Sequence, residues 1–212
     1  MKTAPRKIWV KSMEINRTEK DSQGKCDMSA KKIIRRQVLQ LRDELSEEAQ
    51  KRAAFLITER ILGHQWYYLS DVVIGFAGYG SEINTDEILA ETLRNGKALY
   101  LPKIEGDEMH FYRVHNLSEL QVGYKGIREP KGDSERYVYE ADKAVRTLML
   151  MPGVAFDMLR NRMGYGKGFY DRFLEDKPEL QLRTIGIGHK CQMVEEVPCD
   201  EHDVKPYQVI CV

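Results

Sequence analysis

Residues 146–156 read RTLMLMPGVAF, and this apolar run is the best guide to the fold because it predicts a central strand. A second apolar run, DVVIGFAG at 71–78, suits a strand that is buried on both faces, as strands of parallel sheets are. Outward from these two runs, strand-like stretches alternate with helical ones, a pattern typical of α/β proteins. We therefore predict an α/β fold with a mainly parallel sheet flanked by helices. Ligands of such sheets bind at the carboxyl ends of the strands.

The other predicted elements follow from residue spacing and capping residues. Further strands are predicted at 98–104 (ALYLPKI), 109–114 (MHFYRV), 183–189 and 207–212. Helices are predicted over about 30–45 with Ser29 as N-cap, from Ser46 to about His64, over 84–97 with an end at Asn95-Gly96, and after a glycine-rich segment to about Asp176. At 212 residues, the chain is expected to form a single Rossmann-like domain.

The first residues of the chain differ from the rest. Residues 1–27 carry seven Lys or Arg and four acidic residues without a clear apolar period. The acidic residues are out of place in a targeting presequence. We interpret 1–28 as a mobile N-terminal extension, with Met28 as an alternative initiator, and 29–212 as the folded domain.

Composition narrows the class of protein. The 33 basic and 33 acidic residues cancel, so the overall charge does not suggest nucleic acid or an acidic membrane surface as a partner. No run reaches the roughly 18 apolar residues of a membrane span, and the N-terminus lacks the apolar core of a secretory signal. The four cysteines form no CxxC pair, which indicates reduced thiols. We expect a cytoplasmic monomer that binds neither nucleic acid nor membranes.

A glycine-rich segment follows the predicted central strand. Residues 161–174 read NRMGYGKGFYDRFL, with glycines at alternate positions around Lys167. The segment lacks the hydroxyl residue that completes a P-loop, and its GxGxG spacing does not match the dinucleotide fingerprint GxGxxG. Glycines nevertheless let backbone N–H groups converge on an anion, and the N-terminus of the following helix adds positive charge. The segment therefore predicts a phosphate-binding loop.

The charged residues of this loop indicate which ligand it holds. Lys167 supplies a mobile cation and Arg162 a planar one. Asp171 lies one turn beyond Lys167, where a carboxylate would oppose phosphate binding unless Mg²⁺ intervenes. The alternative is a glycine-rich turn with a surface Lys–Asp pair. Lys31 and Arg35, on the first predicted helix, fall at the border of its apolar stripe, where they could either reach a cleft or remain solvated beside the core.

The segments LMLMPGVAFD (148–157) and NRMGYGKGFYDRFL together resemble the 5-formyltetrahydrofolate cyclo-ligase family, also called methenyltetrahydrofolate synthetase. The resemblance covers roughly residues 29–205. It includes weaker stretches in the expected order: AKKIIRR, GSEINTDEI (80–88), GIREP (126–130) and EEVPCDEHDVK (195–205). It implies an ATP-dependent cyclisation, in which the formyl oxygen of 5-formyltetrahydrofolate takes the γ-phosphate and N10 then closes the ring. The implied products are 5,10-methenyltetrahydrofolate, ADP and phosphate, with Mg²⁺ as the metal.

The resemblance also implies roles for individual residues. The residues that match the ATP-binding positions of the family are Lys31, Arg35, Arg162, Gly164, Gly166, Lys167 and Gly168. Asp171 and Asp203 match its magnesium ligands. The folate positions are matched by Glu82, which would accept hydrogen bonds from the pterin, and by Met109, Phe169 and Tyr170. Lys167, Arg162 and Tyr170 are the catalytic candidates.

Two positions depart from the family pattern. Tyr165 replaces a residue that is basic in some members, so that the loop would hold phosphate with one cation fewer. Tyr207 stands where many members have a second aspartate, which puts metal affinity in question. A zinc site built from His189, Cys191, Cys199 and His202 is a weaker interpretation, because their spacing is irregular. Two further alternatives are a non-catalytic folate- or nucleotide-binding module and an ATP-using enzyme of the same architecture with another substrate.

Overall fold

The computed structural model of the protein describes residues 28–212. The predicted extension thus lies, apart from Met28, outside the described residues. Ten strands and seven α-helices follow one another in the described part of the chain. The strands are β1 (Val72–Ile74), β2 (Ala98–Glu105), β3 (Glu108–Val114), β4 (Gln121–Val122), β5 (Arg128–Glu129), β6 (Thr147–Met151), β7 (Ala155–Phe156), β8 (Arg162–Met163), β9 (Thr184–Gly188) and β10 (Gln208–Cys211). The helices are α1 (Met28–Asp43), α2 (Glu47–Leu62), α3 (Gln65–Leu69), α4 (Asp86–Arg94), α5 (Ala141–Ala144), α6 (Phe169–Leu174) and α7 (Pro178–Gln181).

Six strands form the central sheet, in the order β10-β9-β6-β1-β2-β3. The pairs β10–β9, β9–β6, β6–β1 and β1–β2 are parallel, whereas β3 returns from β2 as an antiparallel edge strand. The short hairpins β4–β5 and β7–β8 lie outside this sheet. The predicted α/β fold with a mainly parallel sheet is confirmed. No described helix has the length and apolarity that a membrane crossing requires.

Strand β6 explains why helices cover both faces of the sheet. Every residue of β6 is buried, and alternate residues of a strand point to opposite faces. Leu148 and Leu150 join a core cluster with α2, α3 and α4. Met149 and Met151 join a second cluster with α5, α6 and α7. A strand buried on both faces is apolar at nearly every position, which is why Leu148 to Met151 show no alternation of apolar and polar residues.

Two sequence predictions are wrong in detail. The run at 146–156 is not one strand, because β6 ends at Met151 and the chain turns away at Pro152 and Gly153 into β7. Pro152 has no N–H to donate to a neighbouring strand, and a Cβ on Gly153 would lie 2.5 Å from Phe156 Cζ. Ser29 is not an N-cap, because the helical hydrogen bonding of α1 already includes Met28.

Other predicted boundaries hold within a few residues. Ser46 caps α2, since its side chain accepts a hydrogen bond from Ala49 N. The helix predicted at 84–97 is α4, which ends at Arg94 with Asn95 as C-cap, followed by Gly96 with φ +68°. The strand predicted at 71–78 is shorter, because only Val72–Ile74 are paired as β1. The helix after the glycine-rich segment ends at Leu174 rather than near Asp176.

Candidate active site

A cleft of about 270 Å³ lies where β1 and β6 end. The chain after β1 supplies Phe76, Ala77, Tyr79 and Glu82 to its wall, and Pro152 follows β6 directly. Side chains from the β2–β3 hairpin and most of the glycine-rich segment also line it. The cleft is therefore at the carboxyl edge of the parallel strands, where ligands of such sheets bind.

The glycine-rich segment leaves β8 and wraps around the cleft before α6 begins. Gly166 has φ +93° and Gly168 has φ +63°, a region of backbone space in which side chains other than glycine are strained. Gly164, Gly166, Lys167 and Gly168 all line the cleft. The alternation of glycines thus shapes a loop whose backbone faces the cavity.

The two cations of the loop are held in different ways. Lys167 is exposed at the cleft and has no ion-pair partner among residues 28–212. The side chain of Arg162 is 3% exposed and donates to Asp171 Oδ1 at 2.7 Å. Its guanidinium carbon also lies 5.6 Å from the centre of the Tyr170 ring. Arg162 is thus a fixed charge in the wall of the cleft, whereas Lys167 is free to move towards a ligand.

The basic residues of α1 reach the loop region without lining the cleft. Arg35 Nε donates to Gly164 O at 3.0 Å. Lys31 Nζ contacts Asp203 Oδ2 at 2.8 Å and Asp200 Oδ2 at 3.0 Å. Burial lowers the pKa of Lys31, but its bonds to these two carboxylates outweigh burial and raise the pKa overall. Two predicted ligand groups, a phosphate-binding lysine and a metal-binding aspartate, are therefore paired with each other.

Asp171 and Asp203 are the carboxylates with which a metal could be held. Val204 N donates to Asp171 Oδ1 at 3.1 Å, so the segment that carries Asp203 is in contact with Asp171. The second oxygen of each carboxylate accepts no hydrogen bond from the described residues. No group of three or more metal-ligating side chains occurs within residues 28–212. Mg²⁺ does not need one, since one or two carboxylates and substrate phosphates usually bind it, and these two residues fit that pattern.

Glu82 is fixed at the cleft by both of its oxygens. Tyr165 donates its hydroxyl to Glu82 Oε1 at 2.6 Å, and Tyr79 N donates to Glu82 Oε2 at 3.0 Å. The hydroxyl of Tyr165 accepts in turn from Arg42 Nη2 at 2.9 Å. Arg42 is 4% exposed and also donates to Ser81 Oγ at 2.9 Å. A buried arginine thus supports the carboxylate through a tyrosine.

The apolar part of the cleft contains Met109, Phe169 and Tyr170, as predicted from the resemblance, together with Pro102 and Ile104. Burial raises the pKa of the Tyr170 hydroxyl, and the negative charge of Glu82 raises it further. Tyr170 therefore keeps its proton at physiological pH and can offer a hydroxyl donor and a flat ring, but not a phenolate base.

Several site residues were missed by the sequence interpretation. Tyr79, Tyr124, Lys125, Ile127 and Glu129 line the cleft from turns and from β5, where no local pattern marks them. Arg42 could have been found, because it lies four residues after Val38 on the apolar stripe of α1, where a charge is unexpected.

Tyr207 lies away from the cleft, at the opposite ends of the strands. Its N–H donates to Thr184 Oγ1 at the start of β9, and its ring lies 5.3 Å from that of Trp66.

His189 is one of the four residues considered as zinc ligands. Its Nε2 lies 3.2 Å from Ser81 O. Burial lowers the pKa of this histidine.

Residues 27–212 match the model of the 5-formyltetrahydrofolate cyclo-ligase family. The chain belongs to this family. Among cyclo-ligases, the Escherichia coli K12 5-formyltetrahydrofolate cyclo-ligase is 30% identical over 170 residues, which cover 79% of this chain and 92% of that protein. The mouse 5-formyltetrahydrofolate cyclo-ligase is 28% identical over 190 residues, which cover 86% and 93%.

Solved structures agree with this assignment. The NMR structure of Aquifex aeolicus 5,10-methenyltetrahydrofolate synthetase superposes with a TM-score of 0.70 at 33% identity and covers 83% of this chain and 86% of that one. A 5,10-methenyltetrahydrofolate synthetase from Mycoplasma pneumoniae shares the fold, with a TM-score of 0.65 at 22% identity and coverage of 85% and 97%. As a cyclo-ligase, the protein catalyses the ATP-dependent conversion of 5-formyltetrahydrofolate to 5,10-methenyltetrahydrofolate.

Proposed function

We propose that ATP binds along the glycine-rich loop while 5-formyltetrahydrofolate binds against Glu82, Met109, Phe169 and Tyr170. The observation that carries this proposal is that both sets of residues line one cleft. Lys31 and Arg35 would reach the phosphates from α1, and Gly164, Gly166 and Gly168 would offer backbone N–H groups. The pterin would donate to Glu82, whose oxygens are held in place by Tyr165 and by Tyr79 N.

The chemistry proceeds in two steps. The formyl oxygen attacks the γ-phosphorus of ATP, the bond to the bridging oxygen breaks, and ADP leaves with its electron pair. N10 then attacks the activated formyl carbon, loses its proton, and expels phosphate as the N5–C–N10 unit becomes conjugated. Phosphoryl transfer mainly requires that the protein position the reactants and neutralise charge on the phosphoryl group. A glycine-rich loop with a mobile lysine can do both.

The three catalytic candidates would act in different ways. Lys167 would follow the transferred phosphoryl group, because it is exposed and unpaired in the described part of the chain. Arg162 would provide a fixed positive charge, held by Asp171. Tyr170 would pack against the folate and keep its hydroxyl protonated, since burial raises its pKa.

Mg²⁺ would be held by Asp171 and Asp203 through the oxygens that no described residue occupies. When bound, it would neutralise charge on the phosphate oxygens of ATP. We further propose that the protein acts as a cytoplasmic monomer without nucleic-acid or membrane partners, in keeping with its balanced charge.

Turnover by the purified protein tests the proposal. ATP consumption and the appearance of methenyltetrahydrofolate absorbance should rise together when 5-formyltetrahydrofolate and Mg-ATP are supplied. Folate binding by calorimetry without any turnover under saturating Mg-ATP would favour a non-catalytic module instead.

Glu82→Gln tests which substrate the cleft accepts. The amide can accept only through its oxygen, so paired hydrogen bonds from a pterin would be lost and folate turnover should fall. Unchanged kinetics would contradict a pterin at Glu82 and would favour an ATP-using enzyme with another substrate.

A further inference from the structure

One carboxylate in the wall of the cleft has no role in the proposed function. Glu129, the last residue of β5, lines the cleft and is only 5% exposed. Successive residues of a strand point to opposite sides, and the preceding Arg128 pairs with Asp86 of α4. The side chain of Glu129 therefore points away from α4, towards the cleft that it lines.

The carboxylate of Glu129 is closely packed but lacks a polar partner. A Cβ on Gly123 would lie 2.2 Å from Glu129 Oε2, so the glycine makes room for this group. Neither oxygen has a hydrogen-bond or ion-pair partner within residues 28–212. A buried carboxylate is costly when it stays without a partner, and buried polar groups ordinarily have one. Glu129 is thus a group whose partner a ligand would supply.

Ring closure requires a group that accepts a proton. N10 carries a proton before it attacks the formyl carbon, and this proton is absent from the methenyl product. A base within hydrogen-bond reach can remove it in the transition state. Lysine and arginine side chains offer only donors, and tyrosine hydroxyls keep their protons near neutral pH. No histidine or cysteine is among the described residues that line the cleft, so an acceptor there must be a carboxylate.

Three carboxylates line the described part of the cleft, those of Glu82, Glu129 and Asp171. Both oxygens of Glu82 already accept hydrogen bonds from the protein. Asp171 is paired with Arg162 and is one of the proposed ligands of Mg²⁺. Among residues 28–212, Glu129 is the one carboxylate of this set with both oxygens unoccupied.

Glu129 also lies on the side of the cleft that is assigned to the folate. Strand β5 contacts β2, and Lys103 Nζ of β2 donates to Pro130 O, directly after Glu129, at 3.2 Å. The β2–β3 hairpin contributes Met109 to the proposed folate surface. The glycine-rich loop that would hold ATP comes from residues 164–168 instead. A folate, rather than the nucleotide, would therefore meet Glu129.

We propose that Glu129 is the general base that accepts the N10 proton during ring closure. This inference rests on the proposed function, because it needs 5-formyltetrahydrofolate in the cleft. The N10 lone pair forms the new bond to the formyl carbon, and the N10–H electrons remain on nitrogen as the proton passes to a Glu129 oxygen. The bond from that carbon to the phosphate oxygen breaks, and phosphate leaves with the electron pair. Glu129 then releases the proton to solvent.

Rapid-quench single turnovers of the full-length enzyme with Mg-ATP separate the two chemical steps, because ADP reports phosphoryl transfer and methenyl absorbance reports ring closure. Glu129→Gln keeps the shape of the side chain, but an amide is not basic enough to take the proton. Ring closure should therefore slow by roughly 10²-fold or more, while ADP forms at the wild-type rate. Asp133→Asn, at an exposed carboxylate outside the described cleft lining, is the matched control and should leave both rates unchanged.

Two further measurements distinguish a base from a residue that only supports the fold. Glu129→Gln should not lower the unfolding temperature, because it removes a buried charge that has no partner in the described chain. Formate added to Glu129→Ala should restore part of the ring-closure rate, since a small carboxylate can take the place of the missing base.

The remaining outcomes contradict the assignment. Equal ring-closure rates in Glu129→Gln and wild type overturn the base and leave the proposed function intact. Equal slowing of ADP formation and ring closure, or a lower unfolding temperature without rescue by formate, also overturns it, because Glu129 would then act in binding or folding. If the wild type forms neither ADP nor the methenyl product, the proposed function fails, and the base fails with it.

Discussion

Lys167 and Arg162 lie in the same loop, yet the structure gives them different freedom. Arg162 is buried and paired with Asp171, whereas Lys167 is exposed and unpaired among residues 28–212. A cation that can follow developing charge acts mainly on the transition state. We predict that Lys167→Ala lowers kcat by roughly 10²-fold or more, with little change in folate affinity.

Single-turnover and steady-state kinetics of Lys167→Ala would check this. Lys51→Ala, at an exposed lysine of α2, controls for the loss of a surface charge and should leave kcat unchanged. A defect confined to the folate KM of Lys167→Ala would contradict a role in phosphoryl transfer.

Tyr165 connects Glu82 to Arg42. Removing its hydroxyl takes one donor from Glu82 and leaves Arg42 Nη2 buried without its partner. Arg42 Nη1 already lacks a hydrogen-bond partner among the described residues, so both terminal nitrogens of the guanidinium would then be without one. We predict that Tyr165→Phe raises the folate KM roughly 3- to 10-fold and lowers the free energy of unfolding by about 1–2 kcal/mol.

Chemical denaturation and folate kinetics of Tyr165→Phe, side by side, would measure both effects. Tyr79→Phe is the matched control, because Tyr79 lines the same cleft but holds Glu82 through its backbone N–H. If Tyr79→Phe has the larger effect on the folate KM, the connection through Tyr165 is not what positions Glu82.

For individual residues, the sequence predicts which side chains belong to the site better than it predicts which side chains they contact. The glycines and Lys167 stand in one local segment with a recognisable chemical pattern. The partner of Tyr165 could not be predicted, because Arg42 lies 123 residues away and is brought close only when α1 packs on the loop. From the sequence, Tyr165 would leave the loop with one cation fewer. In the structure, the Arg42 guanidinium contacts the Tyr165 hydroxyl and brings a positive charge to this position.

Among the elements, the turn after β1 decides where Glu82 lies. Gly78 begins this turn, and a Cβ on it would overlap the backbone oxygen of Ile83. Backbone cannot move aside as a flexible side chain does, so the turn would have to open. We predict that Gly78→Ala lowers the free energy of unfolding by about 1–3 kcal/mol and weakens folate binding.

Thermal unfolding and calorimetric folate binding would test Gly78→Ala. Gly80→Asn offers a control in the same turn, since Gly80 has φ +59° and open space around its Cα, and asparagine tolerates that backbone region. Equal effects of the two substitutions would show that the crowding at Gly78 is not the cause.

Elements were predictable where spacing or burial left a clear pattern. The caps of α2 and α4 and the apolar run of β6 belong to this group. The order of the strands was not predictable, because β6 pairs with β1 across 70 or more residues of chain. The break after β6 was also missed, since apolarity continues through Pro152 while hydrogen bonding does not.

For the whole molecule, the described residues that line the cleft run from Phe76 to Asp171. The family match begins at residue 27. We predict that a chain starting at Met28 retains nearly all of its turnover. Comparison of kcat/KM for the truncated and full-length chains would check this, and a large loss would assign the first 27 residues a part in the site.

The alternation of strands and helices alone predicts the fold class. It also predicts that ligands bind at the carboxyl edge of the sheet. A second cavity, of about 320 Å³ between β3, α6 and the segment 136–139, was not predictable, because these three segments share no motif. Its charge emerges only when three distant segments fold together.

Helix α1 is joined to the rest of the molecule partly through groups that ATP would engage. Arg35 bonds to the loop at Gly164, and Lys31 bonds to Asp203. A ligand that binds only the docked helix stabilises docking by mass action, to an extent set by its concentration relative to its Kd. Bound nucleotide would then lower how often α1 detaches from the loop.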